Sequence, residues 1–263
     1  SIYTFYYNGY YPDTLVNGVI LKDIEYYGCV NIGNWMLKSD ESTVVKYIGN
    51  DSNVICDTEL NGKTLIYGSG VFKENYNIQS VDVNNVPFVN NSMDSMFLCC
   101  YNLSNVTNIP NNVTSFNSTF ERCTNMANFP EIPNSVTDMS ATYLYCYNLS
   151  TPPVLPPNIT SLSRTFSYCS GLREMPYIPD SVTYMSEAFQ HCDNITSINQ
   201  LSNNLYSLGY TFYGCQNLRS VVDLPNSVTS IRYAFYNCFN LVTAPNIPES
   251  MIDMCGGFGN CVN

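Results

Sequence analysis

Charged residues are scarce in this sequence, and basic residues are the scarcer kind. Only 12% of the 263 residues are charged, and 21 acidic against 10 basic residues give a formal net charge of -11. A chain with this balance is repelled by nucleic acid and by anionic membrane surfaces. The sequence also lacks a run of 18 apolar residues, the length needed to span a bilayer. We therefore expect neither nucleic acid nor membrane insertion among its interactions.

Histidine is almost absent, which removes most of the usual catalytic and metal sites. The single histidine, His191, stands beside Cys192, and the sequence shows neither a Ser-His-Asp triad nor a recurring Cys-His metal motif, which makes nucleophilic catalysis an unfavoured interpretation. Residues 68–70, Gly-Ser-Gly, indicate a turn rather than a phosphate-binding loop. Asp180 and Glu187 are a possible carboxylate pair, but no enclosing pocket is evident around them. The sequence predicts a non-enzymatic protein with no metal and no cofactor.

Cysteine, in contrast, is abundant and regular. Eight of the 12 cysteines follow one another at intervals of 23 residues: Cys100, Cys123, Cys146, Cys169, Cys192, Cys215, Cys238 and Cys261. An aromatic residue stands three positions before each of them, and an aliphatic residue three positions after most of them. Units this short bury such residues only by stacking, which turns each repeated position into a continuous column. The pattern predicts a mainly β solenoid of about eight 23-residue rungs, with short strands and tight bends.

The eight spaced cysteines are predicted to form a structural ladder of reduced thiols. They share the register of inward aliphatic residues, and a free cysteine behaves as a small buried hydrophobe. Stacked rungs place them about 4.8 Å apart, but parallel side chains give an unsuitable torsion for a disulfide. A secreted disulfide framework is the alternative. The sequence leaves open whether Cys29, Cys56, Cys99 and Cys255 pair.

Two segments, "IPNSVTDMSATYLYCYNL" and "LPNSVTSIRYAFYNCFNL", resemble the BspA-like leucine-rich repeats. Residues 44–83 resemble the first repeat of such arrays, with Phe72, Asn75 and Ile78 in the Phe, Cys and Leu positions. The resemblance implies a leucine-rich-repeat solenoid over residues 61–263. Residues 1–60 have a different composition and no repeat register. They are predicted to be a small β-rich segment that acts as a cap or as an attachment domain.

Binding residues are expected in the columns that vary between units. The position eight residues after the cysteine varies most, and it holds Asn108, Glu131, Val154, Tyr177, Gln200, Asp223 and Asn246. The position four residues after the cysteine carries Arg173 and Arg219. Aromatic and Arg side chains among polar neighbours are typical of interaction hot spots. The predicted ligand-binding set is Glu131, Arg173, Tyr177, Gln200, Arg219, Asp223 and Asn246.

A second candidate surface is a tyrosine stripe just before the cysteines, formed by Tyr145, Tyr168, Tyr213 and Tyr236. For both surfaces, unselected variation on a solvated face remains the alternative. The family resemblance implies a recognition or adhesion module, outside the cell or on a bacterial cell surface, that binds a protein or a glycan of a cell surface through a solenoid face. The other hypothesis is a receptor-binding component of a phage or phage-like tail, located in the virion. A homo-oligomer or larger assembly is compatible with either.

Overall fold

The protein is mainly β and poor in helix, as the sequence predicts. A computed structural model describes residues 3–7, 10–16, 19–21, 26 and 28–262, with side chains described at residue 26 and from residue 28 onward. The strands are β1 (Tyr3–Tyr7), β2 (Tyr10–Val16), β3 (Val19–Leu21), β4 (Val30–Ile32), β5 (Trp35–Leu37), β6 (Thr43–Tyr47), β7 (Asn53–Ile55), β8 (Glu59–Leu60), β9 (Lys63–Thr64), β10 (Ile66–Tyr67), β11 (Ser80–Asp82), β12 (Asn105–Thr107), β13 (Ser197–Ile198) and β14 (Ser220–Val221). A 3-10 turn covers Val89–Asn91. Within these residues, no helix is long and apolar enough to cross a bilayer.

The amino-terminal strands form two antiparallel groups, one of which is joined to the repeats. β1, β2 and β3 pair in that order, and β4, β5 and β6 form a second sheet, to which β10 adds in parallel. The Trp35 ring is 2% exposed, and its centroid lies 6.0 Å from that of Phe72. Since β6 and β7 already pair in parallel with β10 and β11, stacking begins before residue 60. The predicted segment 1–60 lies partly outside the described residues, and its boundary stays a prediction.

The repeat units stack through parallel contacts between residues 23 positions apart. Single bridges join Ser92, Ser115 and Asp138, and a second series runs from Ser161 through Tyr184 and Ser207 to Ser230 and Asp253. On another side of the stack, β11 pairs with β7 and β12, and β13 pairs with β14. Strands of two or three residues alternate with turns, because prolines and asparagines interrupt each unit.

Each unit bends at two residues with left-handed backbone conformation. In one unit these are Arg164, with φ of 56°, and Tyr168, with φ of 60°. This conformation costs a non-glycine residue about 1–2 kcal/mol. Hydrogen bonds to the next unit offset the cost, since the Arg164 N–H donates to Ser186 O at 2.9 Å and the Tyr168 N–H donates to Gln190 O at 2.7 Å. The bends therefore depend on stacking rather than on residue type.

A column of stacked aromatic rings forms the centre of the core. It contains Phe72, Phe97, Phe120, Tyr143, Phe166, Phe189, Phe212, Phe235 and Phe258, and adjacent centroids lie 5.1–6.1 Å apart. All but Phe258 are essentially inaccessible to solvent. Burial of one such ring contributes about 1.5–3 kcal/mol. This column holds the successive units in a common register.

The cysteine column lies beside the rings. Cys100, Cys123, Cys146, Cys169, Cys192, Cys215 and Cys238 are fully buried, and Cys261 is partly buried. Each thiol donates to the main-chain oxygen of an aromatic residue in the preceding unit, with Sγ–O distances of 3.0–3.3 Å. All 12 cysteines, with Cys29, Cys56, Cys99 and Cys255 among them, are free thiols in this structure. Cysteine suits the column because it is small and apolar yet supplies a hydrogen-bond donor.

Candidate ligand-binding face

Prolines interrupt the strand that follows each cysteine in the middle of the stack. Pro130, Pro153 and Pro176 stand at the same position of three successive units, between the paired strands β11–β12 and β13–β14. Proline has no N–H group and does not continue a central strand. In residues 127–132 and 150–155, no main-chain N–H or C=O group bonds to another residue of the described chain. The proline column thus coincides with main-chain polar groups that have no partner in the described chain.

A groove of about 630 Å³, here the first groove, lies at this interruption. It is lined by Asn108, Ile109, Asn111, Phe129, Pro130, Glu131, Ile132, Pro133, Asn134, Pro153 and Val154. The Phe129 ring packs against the core, with centroid distances of 5.4 Å to Phe120 and 4.8 Å to Tyr143. Val154, which is 89% exposed, stands at the edge. The first groove therefore combines an apolar floor, which includes Phe129, with polar asparagine side chains, and Glu131 is its one charged lining residue.

A second groove, of about 290 Å³, opens farther along the same face. It is lined by Tyr177, Asp180, Asn199, Gln200, Leu201, Asn203, Val222, Asp223 and Pro225. The Tyr177 side chain is 70% exposed and available for contact. The Gln200 amide is engaged: its Oε1 accepts from the Ile178 N–H at 2.8 Å, and its Nε2 donates to Ile178 O at 2.8 Å and to Leu201 O at 3.0 Å. Gln200 therefore ties two units together and forms a wall of the groove.

The carboxylates of the second groove are held by amides of the next unit. Asp223 accepts from the Asn246 N–H at 3.0 Å and from Asn246 Nδ2 at 2.9 Å. These two hydrogen bonds, the main-chain one first, hold the pKa of Asp223 below its usual value. Asp180 accepts in the same way from the Asn203 N–H at 2.9 Å. Because these partners are neutral amides, they do not offset the charge of either carboxylate.

The predicted binding residues fall into three places. Glu131 lines the first groove, and Tyr177, Gln200 and Asp223 line the second, with Asn246 bonded to Asp223. Arg173 and Arg219 are exposed, but they line neither groove. We call the surface that contains both grooves the grooved face. Its apolar lining by Ile109 and Phe129 was not predicted, although the three prolines in one column were a signal for it.

The tyrosine stripe is a stack of rings joined by His191. Centroids are 4.7 Å apart for Tyr145 and Tyr168, 4.8 Å for Tyr168 and His191, and 5.4 Å for Tyr213 and Tyr236. Interplanar angles of 28°, 24° and 6° show that neighbouring rings cover each other's faces. A sugar that stacks on an aromatic residue needs an open ring face. Stacking covers ring faces on Tyr145, Tyr168 and His191, whereas His191 and Tyr213 meet at 69°, so most of the stripe is poorly suited to sugar stacking.

The neighbours of the only histidine do not form a nucleophilic site. His191 Nδ1 lies 4.0 Å from Asp193 Oδ1, while the Cys192 thiol points inward and donates to Phe166 O at 3.1 Å. Burial raises the pKa of Cys192 well above its usual value. An activated cysteine nucleophile requires the opposite shift. Across residues 28–262, no group of three or more His, Cys, Asp and Glu side chains is arranged to hold a metal ion.

Short units that stack in parallel, with aliphatic, aromatic and cysteine residues in fixed columns, define a leucine-rich-repeat protein. The family described as the BspA type leucine rich repeat region matches residues 19–150, 94–210 and 186–261, in six copies. The chain belongs to this family, which confirms the predicted resemblance. No curated protein matches the sequence.

Solved bacterial structures share the fold. A leucine-rich repeat protein from Eubacterium ventriosum is 18% identical, with a TM-score of 0.53 over 83% of this chain and 76% of that chain. A leucine rich cell surface protein from Faecalibacterium prausnitzii is 18% identical, with a TM-score of 0.50 over 89% and 86%. A leucine-rich repeat protein from Bacteroides ovatus is 16% identical, with a TM-score of 0.50 over 85% of this chain and 75% of that chain. At these identities the similarity shows the fold alone.

Proposed function

We propose that the stacked units form a leucine-rich-repeat solenoid of about eight rungs behind a β-rich amino-terminal cap, and that the protein is a non-enzymatic recognition module. It binds a protein on a cell surface through the grooved face. One observation carries this proposal: both grooves lie on one face, in the column that varies most between units. The Faecalibacterium relative is described as a cell surface protein, which supports the same location here.

A protein ligand is favoured over a glycan by the side chains at each surface. The first groove has an apolar floor with unpaired main-chain groups beside it, and such a surface resembles the centre of a protein interface. The stripe, where sugar rings would stack, has its ring faces covered. No observation favours the alternative of a phage tail component.

The test is binding of the fluorescently labelled protein to intact cells, before and after protease or periodate treatment of the cell surface. We expect protease treatment to abolish binding and periodate treatment to leave binding unchanged. Tyr177→Ala should weaken binding while changing stability by less than about 0.5 kcal/mol. Tyr206→Ala is the matched control, because Tyr206 is 54% exposed and lines neither groove.

Three outcomes would overturn the proposal. If periodate alone abolishes binding, the ligand is a glycan. If Tyr206→Ala weakens binding as much as Tyr177→Ala, the grooved face is not the binding surface. If no cell type binds the protein, a role in cell-surface recognition is wrong.

A further inference from the structure

The first groove combines features that point to one class of occupant. We propose that it binds an extended, basic peptide segment of the partner, with apolar side chains in the groove and a Lys or Arg beside Glu131. This inference rests on the proposed function and specifies its ligand.

The size and base of the groove suit several side chains rather than one. Its volume of about 630 Å³ lies within the range of about 300–1,000 Å³ found for ligand pockets. Phe129 is held against Phe120 and Tyr143, so the floor is already ordered and little conformational freedom is lost on binding.

The polar groups around the floor select a peptide over an acyl chain. Main-chain groups of residues 127–132 and 150–155 have no partner in the described chain. An acyl chain would cover some of these groups without bonding to them, which is unfavourable. A peptide carries N–H and C=O groups along its whole length and can satisfy them.

The charges on the grooved face select basic side chains. Glu131 is the one charged residue that lines the first groove, and Asp180 and Asp223 are the charged residues that line the second. The chain as a whole carries a formal net charge of -11. A basic segment is therefore attracted to the whole face and bound most closely at the carboxylates.

The geometry of the column sets the spacing of the basic residues. Glu131 and Asp223 occupy the same position in units that are four repeats apart, a separation of about 19 Å at roughly 4.8 Å per unit. An extended peptide advances about 3.3 Å per residue. Two basic residues about six positions apart would therefore meet Glu131 and Asp223 together.

The probe is an array of heptapeptides with Lys at both ends and Phe, Leu, Val or Pro at the five inner positions. One matched array has Glu at both ends, and another has its two Lys residues three positions apart. We expect the 263-residue chain to bind best to the first array. The peptide that binds most tightly is then titrated by fluorescence anisotropy at low and high salt. We expect high salt to weaken its binding.

Matched variants separate charge from apolar contact. Glu131→Gln should weaken binding of the titrated peptide about three- to tenfold. Val154→Ser should weaken it about five- to tenfold. The controls are Glu249→Gln and Val242→Ser, which alter an exposed carboxylate and a valine that is 64% exposed, both outside the grooves. These variants should bind as the unmodified protein does.

Equal binding of the Lys and Glu arrays, or no loss with Glu131→Gln, would overturn the inference. The inference would also be overturned if no peptide of the array binds while the protein binds laurate and Val154→Ser weakens that binding. The occupant of the first groove would then be an acyl chain. If cell binding stays sensitive to protease and to Tyr177→Ala while no peptide binds, this inference fails and the proposed function stands.

Discussion

The imidazole ring of His191 occupies the space that a β-carbon on residue 214 would need. An ideal β-carbon on Gly214 would lie 2.5 Å from His191 Cε1 and 2.5 Å from Nδ1, and the φ of Gly214 is 74°. The ring stacks on Tyr168 at 4.8 Å and meets the edge of Tyr213 at 5.6 Å. Glycine at this position therefore leaves room for the His191 ring between Tyr168 and Tyr213, where face-to-face stacking gives way to an edge contact.

Gly214→Ala should lower the free energy of unfolding by about 1–3 kcal/mol, because it adds backbone strain and displaces the His191 ring. Urea unfolding followed by circular dichroism measures the change. Gly209→Ala is the matched control, since its β-carbon would meet only Ser207 Oγ, at 3.7 Å. It should change stability by less than about 0.5 kcal/mol. Equal effects of the two substitutions would contradict the role assigned to Gly214.

Phe189→Ala should destabilise the protein by about 3–5 kcal/mol, because it opens a cavity in the core. The Phe189 ring is fully buried and stacks at 5.1 Å on Phe166 and at 5.7 Å on Phe212. Thermal unfolding compared with that of Tyr177→Ala, which removes an exposed ring, checks this expectation. An unchanged melting temperature for Phe189→Ala would count strongly against the aromatic column.

The thiols of the cysteine column should resist alkylation in the folded protein. A short pulse of iodoacetamide followed by peptide mass spectrometry should label Cys255, which is exposed, and leave Cys123, Cys169 and Cys238 unlabelled. Addition of urea should make all of them reactive, since unfolding exposes the column. Disulfide-linked peptides between column cysteines in the native protein would refute the free-thiol ladder.

Alkaline pH should destabilise the protein through the buried thiols. Burial raises the pKa of Cys100 to about 12 and that of Cys146 well above its ordinary value of 9.0. Since the folded pKa is raised, the full stabilisation is present below pH 9.0. It is lost as pH rises toward the folded pKa, because only the unfolded chain releases these protons at first.

Cys146→Ala should reduce this pH dependence by at most about 1.4 kcal/mol per pH unit, the contribution of one proton. Urea unfolding at about pH 8 and about pH 10 measures the difference. Leu149→Ala is the control, because it removes a buried side chain of the same unit that does not titrate. If both variants have the same pH dependence, the thiol of Cys146 is not its source.

The sequence by itself determined the period, the family and the identity of the inward columns. A step of 23 residues places Phe189 and Cys192 at the same depth as Phe212 and Cys215. Such a pattern is one-dimensional, because burial in a stack depends on position within the unit. The mainly β class followed from the short unit length with its prolines and asparagines.

Only the tertiary structure decided where the columns form grooves. Glu131 and Arg173 were equal candidates by sequence, yet only Glu131 lines a groove. The first groove depends on distances between side chains of three units and on a strand that Pro153 prevents from pairing. The engagement of Gln200 by Ile178, one unit away, and the covering of the Tyr168 face by His191 likewise arise between units. A repeat pattern specifies which residues are stacked, whereas the contacts of an exposed side chain depend on rotamers and turns that neighbouring units impose on one another.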